Sequence, residues 1–297
     1  MMLDLTVIVL TYNEELHIRR CLENIKQYVS KIYVIDSFST DKTVDICKEL
    51  GAIVLQNKWP GNQAEQFNWA LDNINIETEW VLRLDADEYL LPELIEEFKE
   101  RLPKIDKSIS GISLKRRHIF LGKWVKRGTY PVIILRMFRN GKGRCEQRLM
   151  DEHLILSDGD TITFENDFVD HNLNPLVWWI EKHNNYAIRE AVELLDLELN
   201  LSKKDSSKQT SKKEQNKKLY IKIPIFLRAF LYFCVRYFIK GGFLEGKEGF
   251  LWHFLQGLWY RTLVDAKIFE IKKRCNNNKS DIIDYIKNTY NISIDKL

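Results

Sequence analysis

The sequence is poor in residues that stop or staple a chain. Its 297 residues include 6 prolines, 13 glycines and 5 cysteines. Collagen-like and low-complexity architectures need far more glycine or proline, and nothing repeats as a solenoid would. The cysteines (Cys21, Cys47, Cys145, Cys234, Cys275) are odd in number, widely spaced and without a C-x-x-C pair. Neither a disulfide framework nor a zinc site is therefore expected, and a reducing compartment fits best. Excess charge is also missing. The 45 Lys+Arg nearly cancel 42 Asp+Glu, leaving +3. A dedicated nucleic-acid binder is usually strongly basic, so no nucleic-acid partner is expected. The start, Met1-Met2-Leu3-Asp4-Leu5-Thr6, lacks the basic then apolar pattern of a secretory signal. The longest charge-free apolar run near the C-terminus, Ala229 to Val235, sits between Arg228 and Arg236. That is far short of the ~18 residues of a membrane-spanning helix.

What is present is a chain 45% hydrophobic and 12% aromatic, long enough for one large domain. The first hundred residues alternate strand-like and helix-like patterns. Leu5–Leu10, Lys31–Asp36, Ala52–Leu55 and Trp80–Leu84 read as short buried strands. Between them, Glu14–Tyr28 carries apolar residues at helical spacing, Thr40 or Asp41 can cap a helix running to about Leu50, and Ala64–Asn73 is helical. This alternation predicts an α/β fold with an open, mostly parallel sheet. From Ile112 to Phe168 short β runs dominate, and a helical pattern resumes from Pro175 toward Leu201.

The stretch 202–222 is polar, with eight lysines against Asp205 and Glu214, a local net of +6. It reads as a linker. The expected organisation is a catalytic domain over 1–201, a lysine-rich linker over 202–222 and a helical extension over 223–297. Between Tyr220 and Tyr260, 13 of 41 residues are aromatic, with Arg228, Arg236 and Lys240 interleaved. Two readings fit this composition: a surface that meets an anionic membrane, and a helical subdomain or homo-oligomer interface.

Ligands of open α/β sheets bind beyond the carboxyl ends of the strands. Three polar clusters fall there: Thr11-Tyr12-Asn13-Glu14-Glu15, Asp36-Ser37-Phe38-Ser39-Thr40-Asp41 and Asp85-Ala86-Asp87-Glu88. Asp85 and Asp87, one residue apart at a strand end, can offer oxygens to one hard cation such as Mg2+ or Mn2+, which usually bridges to substrate phosphates. An acidic turn capping the next helix is the plainer reading of that pair alone.

Together, in this order and spacing, the three clusters resemble the family 2 glycosyltransferases over about the first 90 residues. The segment Gly61–Leu71 is similar to the one those enzymes place before the metal-binding strand. Met150-Asp151-Glu152-His153-Leu154 and Trp179-x-x-Lys182-His183-Asn184-x-Tyr186-Ala187 resemble the branch that elongates lipopolysaccharide cores and other envelope glycans. The resemblance implies a GT-A fold and an inverting transfer from a nucleotide-diphospho-sugar to a glycan or glycolipid acceptor. It implies that Thr11, Asn13 and Glu14 line the nucleotide pocket, that Asp36 holds base or ribose, and that Gln66 or Asn68 flanks the diphosphate. Asp85 would hold the ribose edge and, with Asp87, the divalent metal. Many members carry two aspartates at the end of the second strand. Here the second position is Ser37, so a uracil base is not implied.

The acceptor hydroxyl needs a base; the resemblance implies an Asp or Glu from a loop after the sheet, with Glu152 favoured over Asp151, whereas without the resemblance both read as ordinary polar loop residues. His171 is a candidate second metal ligand or a structural histidine. Lys115, Arg116, Arg117 and His118, like Arg136, Arg139, Arg144 and Arg148, could contact the diphosphate or an anionic acceptor; such residues are more often solvated faces, and they are left unassigned. The implied location is cytoplasmic, with peripheral contact to the inner face of the cytoplasmic membrane. Two other readings are carried. A nucleotidyltransferase would want a Gly-rich phosphate loop, and Thr11–Glu15 has no glycine. A non-catalytic GT-A-like scaffold subunit would not need Asp85, Asp87 and Glu152.

Overall fold

A computed structural model describes residues 2–146, 153–202 and 212–294, without the side chains of 212–216. The chain divides into two compact units, with the break between Asn174 and Pro175. The expected boundary at 201/202 differs because the helix after Pro175 belongs to the core of the second unit.

The first unit runs β1 (Leu3–Thr11), α1 (Ile18–Ile25), β2 (Val29–Asp36), α2 (Thr43–Glu49), β3 (Ile53–Gln56), α3 (Gln63–Asn73), β4 (Trp80–Asp85), β5 (Glu88–Leu90) and α4 (Pro92–Arg101). It continues through β6 (Ile109–Phe120), β7 (Lys123–Trp124), β8 (Val132–Arg139), β9 (Gly143–Cys145), β10 (Leu154–Leu156) and β11 (Asp160–His171). The main sheet has the order β3-β2-β1-β4-β8-β6-β11-β5, and β7 pairs with β6 off this path. β3, β2, β1 and β4 are mutually parallel. β8 runs antiparallel to β4 and β6, β11 is parallel to β6, and β5 is antiparallel to β11. The carboxyl ends of β1, β2, β4, β6 and β11 therefore share one edge. This is the open, mostly parallel α/β sheet expected from the sequence.

The two faces of the sheet explain the unbroken apolar strands. Side chains alternate across a strand. In β1, Leu5, Val7 and Val9 meet the layer that includes Ile18, Leu22 and Phe98 from α1 and α4. Ile8 points the other way, into Ala64, Phe67 and Ala70 of α3. With both faces covered, a polar side chain in the strand centre needs a buried partner, as Thr6 has in the Thr78 hydroxyl at 2.7 Å. α3 starts where Asn62 accepts the backbone N–H of Glu65 at 2.7 Å, a side-chain N-cap. In α2 neither Thr40 nor Asp41 is the cap residue proper, yet Asp41 accepts the N–H of Thr43 at 3.0 Å and serves the first turn.

The second unit is helical: α5 (Leu176–Leu199), α6 (Lys212–Ile221), α7 (Leu227–Cys234), α8 (Gly246–Trp252), α9 (Tyr260–Arg274) and α10 (Lys279–Tyr290). Its core packs Ala187, Ala191 and Leu195 of α5 against Val264, Ile268 and Ile271 of α9 and Ile282 and Ile286 of α10. Two π-helical stretches, Val235–Ile239 and His253–Trp259, extend α7 and precede α9. Among the described residues, no helix is long and apolar enough to cross a membrane.

Candidate active site

The site is built at the carboxyl edge of the first unit's sheet. Asp36 ends β2 and is fully buried. Its carboxylate accepts from Thr11 Oγ1 at 3.1 Å, from the Ser39 N–H at 2.9 Å, from the Ser39 hydroxyl, and from Gln56 Nε2 at 3.1 Å. The last residues of β1, β2 and β3 are thus tied to one side chain. The two loops beside it interlock. Asn13 N–H donates to Ser39 Oγ at 2.9 Å, and the Asn13 side-chain Oδ1 accepts the Thr40 N–H at 2.8 Å. Glu14 N–H donates to Thr43 Oγ1 at 2.7 Å. The Glu14 carboxylate meets His17 Nδ1 at 2.7 Å, and His17 Nε2 accepts the Leu173 N–H at 2.8 Å. That second bond fixes the proton of neutral His17 on Nδ1.

Interlocked walls leave two aromatic side chains outside. Tyr12 is 60% exposed and Phe38 is 53% exposed. Phe38 also has a φ of +61°, a left-handed backbone that costs a bulky residue free energy. Both fell within motifs read from the sequence, but nothing there separated them from core aromatics. Below them, fully buried Gln66 donates to Ser37 Oγ and to the Asn57 carbonyl, each at 3.1 Å, and accepts from Asn57 Nδ2 at 2.7 Å. Ser37 and Gln66 therefore form one polar floor. Asn68 is placed elsewhere. It clamps both backbone groups of Cys145, donating to its carbonyl at 2.8 Å and accepting its N–H at 2.9 Å.

Asp85 ends β4 with a side chain 34% exposed, 3.8 Å from Arg83 Nε and 3.4 Å from Arg136 Nη2. Its backbone N–H donates to Glu88 Oε2 at 2.9 Å, and the other Glu88 oxygen accepts from Arg136. Glu88 opens β5, a strand too short to stand out in the sequence. It is placed by antiparallel pairing of 88–90 with 168–170 of β11. Burial raises the Asp85 carboxyl, but Arg136 and Arg83 outweigh burial and hold it below the usual range. Glu88 is pushed well above its ordinary value, chiefly by burial. Asp170 lies well below the ordinary range, because His118, Arg116 and Arg136 overcome the effect of its burial. Arg136, read from sequence as a solvated face, is 6% exposed and central to this network. Arg139 and Arg144 instead serve Glu79 and Asp72.

Asp87 lies in the turn after β4. Its carboxylate accepts from Asn172 Nδ2 at 2.9 Å, and its carbonyl accepts from the His171 N–H at 3.0 Å and from Arg20 at 3.1 Å. Arg20 also faces His171 Nδ1 at 3.2 Å. A guanidinium only donates, so neutral His171 carries its proton on Nε2. Burial, then Arg20, keeps the His171 pKa below its usual value. With Nδ1 taken, His171 is arranged to donate from Nε2 rather than to ligate through it.

Among the described residues, no group of three or more His, Cys, Asp and Glu could hold a metal ion. The pair Asp85 and Asp87 fits a different mode, in which one or two carboxylates hold Mg2+ or Mn2+ that keeps its other contacts to substrate phosphates. Around them Asp85 faces Arg83 and Arg136, and Asp170 faces Arg116 and His118, so the cations of this edge are already engaged. The candidate base residues Asp151 and Glu152, with Arg148, lie outside the described residues.

The family model for glycosyl transferase family 2 matches residues 6–165. An uncharacterized glycosyltransferase of Rickettsia typhi is 36% identical over 98 residues, which is 33% of this chain and 32% of the relative. The chain thus aligns with only about a third of such a relative's length. A mannosyltransferase from Pyrobaculum calidifontis, solved with GDP-Man and Mn2+, aligns at TM-score 0.49 and 15% identity, covering 94% of this chain and 89% of that one. Glucosyl-3-phosphoglycerate synthase from Mycobacterium tuberculosis, solved with Mn2+, UDP and glucosyl-3-phosphoglycerate, aligns at TM-score 0.32 and 22% identity over 39% of this chain and 44% of that one.

Proposed function

The chain belongs to glycosyl transferase family 2, and from that premise we propose that it moves a sugar, with inversion, from a nucleotide-diphospho-sugar to a hydroxyl of a lipid-linked envelope glycan. Lipopolysaccharide core and polysaccharide precursors are the acceptors in view, met at the inner face of the cytoplasmic membrane. The observation that carries this reading is the meeting of Asp85 and Asp87 with the closed β1–β2 loops at one sheet edge. It supplies a polar floor, two exposed rings and two carboxylates, one at the end of β4 and one in the turn after it.

In this reading Tyr12 and Phe38 stack on the base, while the backbone of Thr11, Asn13 and Glu14 and the floor of Ser37 and Gln66 shape its pocket. Asp36 fixes these walls and meets the ribose through them. Asn68 holds the backbone of Cys145 beside the diphosphate. Asp85, kept ionised by Arg83 and Arg136, accepts from the ribose edge. Asp87, with Asp85, would hold a divalent metal, which would supply charge neutralisation for the leaving diphosphate. Glu152, or Asp151 beside it, takes the proton of the acceptor hydroxyl as its oxygen bonds to the anomeric carbon and the bond to the diphosphate breaks.

Calorimetry with a set of nucleotide-diphospho-sugars and Mn2+ tests the donor half. Binding should require the metal, and Asp87→Asn should abolish the metal requirement together with tight binding. An absence of binding to any donor would favour a scaffold subunit. Glu152→Gln is expected to keep donor affinity and to lower transfer by about 10²–10⁴. Near-normal turnover in that variant would remove Glu152 from the role.

A further inference from the structure

We propose that the second unit docks on an anionic lipid bilayer through the apolar face of α7, the π-helical stretch after it and the turn into α8. The purpose of this docking rests on the lipid-linked acceptor proposed above. The docking itself does not, and it is tested without any sugar.

The face starts from an inverted pattern. A helix in a globular protein turns its apolar stripe inward and its charges outward. Here Phe230, Phe238, Ile239, Phe243 and Leu244 point out, with Ile239 78% exposed and Phe238 and Leu244 each 57% exposed. They are not scattered. Tyr237 touches the rings of Phe238, Phe243 and Phe250, with centroids 5.1, 6.4 and 5.8 Å away, so residues from three elements make one patch. Contiguous exposed apolar surface of this kind marks an interaction site.

The charges say what the partner is. Among residues 222–254, the exposed charged side chains are Lys222, Lys240 and Lys247, all cationic. Arg236 on the same helix is turned inward instead, 4% exposed with its guanidinium over the Tyr232 ring at 5.2 Å, and takes no part in the face. Phosphates of an anionic headgroup layer complement the exposed Lys240 and Lys247. A second copy of the chain would not, because a two-fold contact would bring two cationic patches together and add no negative charge.

Flotation of the full chain with vesicles is the test. Vesicles of phosphatidylcholine with about 30% phosphatidylglycerol should carry the protein, while pure phosphatidylcholine should carry much less. Joint Phe238→Ser, Ile239→Ser and Phe243→Ser substitution should lower the vesicle partition coefficient by about a hundredfold or more. All three side chains are exposed, so the variant should fold, and an unchanged melting temperature verifies this. Lys240→Glu with Lys247→Glu should weaken binding to the charged vesicles by at least about tenfold and leave donor calorimetry unchanged. Failure of the wild type to float overturns the proposal, as does unchanged flotation of the triple variant. So does light scattering that shows a dimer which the triple substitution converts to monomer. Donor binding with no flotation would sink the docking alone. Flotation with no donor binding would sink the transferase reading alone.

Discussion

The two units handle charge in opposite ways. In the first, carboxylates and guanidiniums gather at one sheet edge and pair there, Arg136 with Glu88 and Asp85, Asp170 with Arg116 and His118, while buried Asp36 is held by neutral donors. In the second, rings lie outside and a cation, Arg236, lies inside with no carboxylate among the described residues. A buried ion with a partner holds a shape already complete. Rings turned outward point to something the unit meets from outside. The first arrangement suits a site that must be rigid before its ligand comes, and the second suits a surface completed by its surroundings.

The comparison can be broken most sharply at Arg136. Arg136→Leu strands Glu88 and Asp85 in the interior and should cost about 3–5 kcal/mol, read by urea unfolding of the full chain. A loss under about 1 kcal/mol would mean that the network is not what holds the strand ends together. Next comes Glu97 of α4, whose carboxylate accepts the N–H groups of Glu165 and Asn166 at 2.9 Å each. Burial raises its pKa, but those N–H groups and Arg101 prevail and hold it below the ordinary 4.5. The folded value is therefore the lower one. The stabilisation is complete above the unfolded value and is lost as pH falls through the folded value. Glu97→Gln should cost about 1–3 kcal/mol at neutral pH and flatten the acid side of the stability profile.

Arg236→Met reverses the sign. It should raise the stability of the lipid-free protein by about 1 kcal/mol, because it removes a buried charge that has no carboxylate, and leave vesicle binding unchanged. A destabilisation like that of Arg136→Leu would erase the contrast between the units. The smallest effect is expected at Phe38. Phe38→Gly relieves the left-handed backbone and should gain about 0.5 kcal/mol in thermal unfolding, at the expense of nucleotide affinity.

The sequence made some of this legible and hid the rest for physical reasons. Strands buried on both faces, such as β1, announce themselves as mostly apolar runs, and polar residues at their ends stand out against that background. β5 was invisible because three residues, Glu88–Leu90, become a strand only by pairing with β11 some eighty positions later. Arg136 sits within a strand pattern, and nothing local distinguishes a cation facing solvent from one facing Glu88. Asp36 and Gln66 looked like open ligand groups. Their saturation by Thr11, Gln56 and Asn57 depends on loops far apart in sequence. The aromatic density after residue 220 was plain from composition. Which rings turn outward is a property of packing, and composition does not carry it.

The position of β11 bears on how the chain is made. The last strand of the sheet is inserted between β6 and β5 rather than added at an edge. During synthesis, β6 and β5 each keep an open row of backbone groups until residue 171 has left the ribosome, and the bond from Leu173 to His17 closes the loop walls only after that. The nascent first unit is therefore a split sheet for more than half the chain's synthesis. Ribosome-bound chains cut before β11 should be the species that chaperones hold and proteases find.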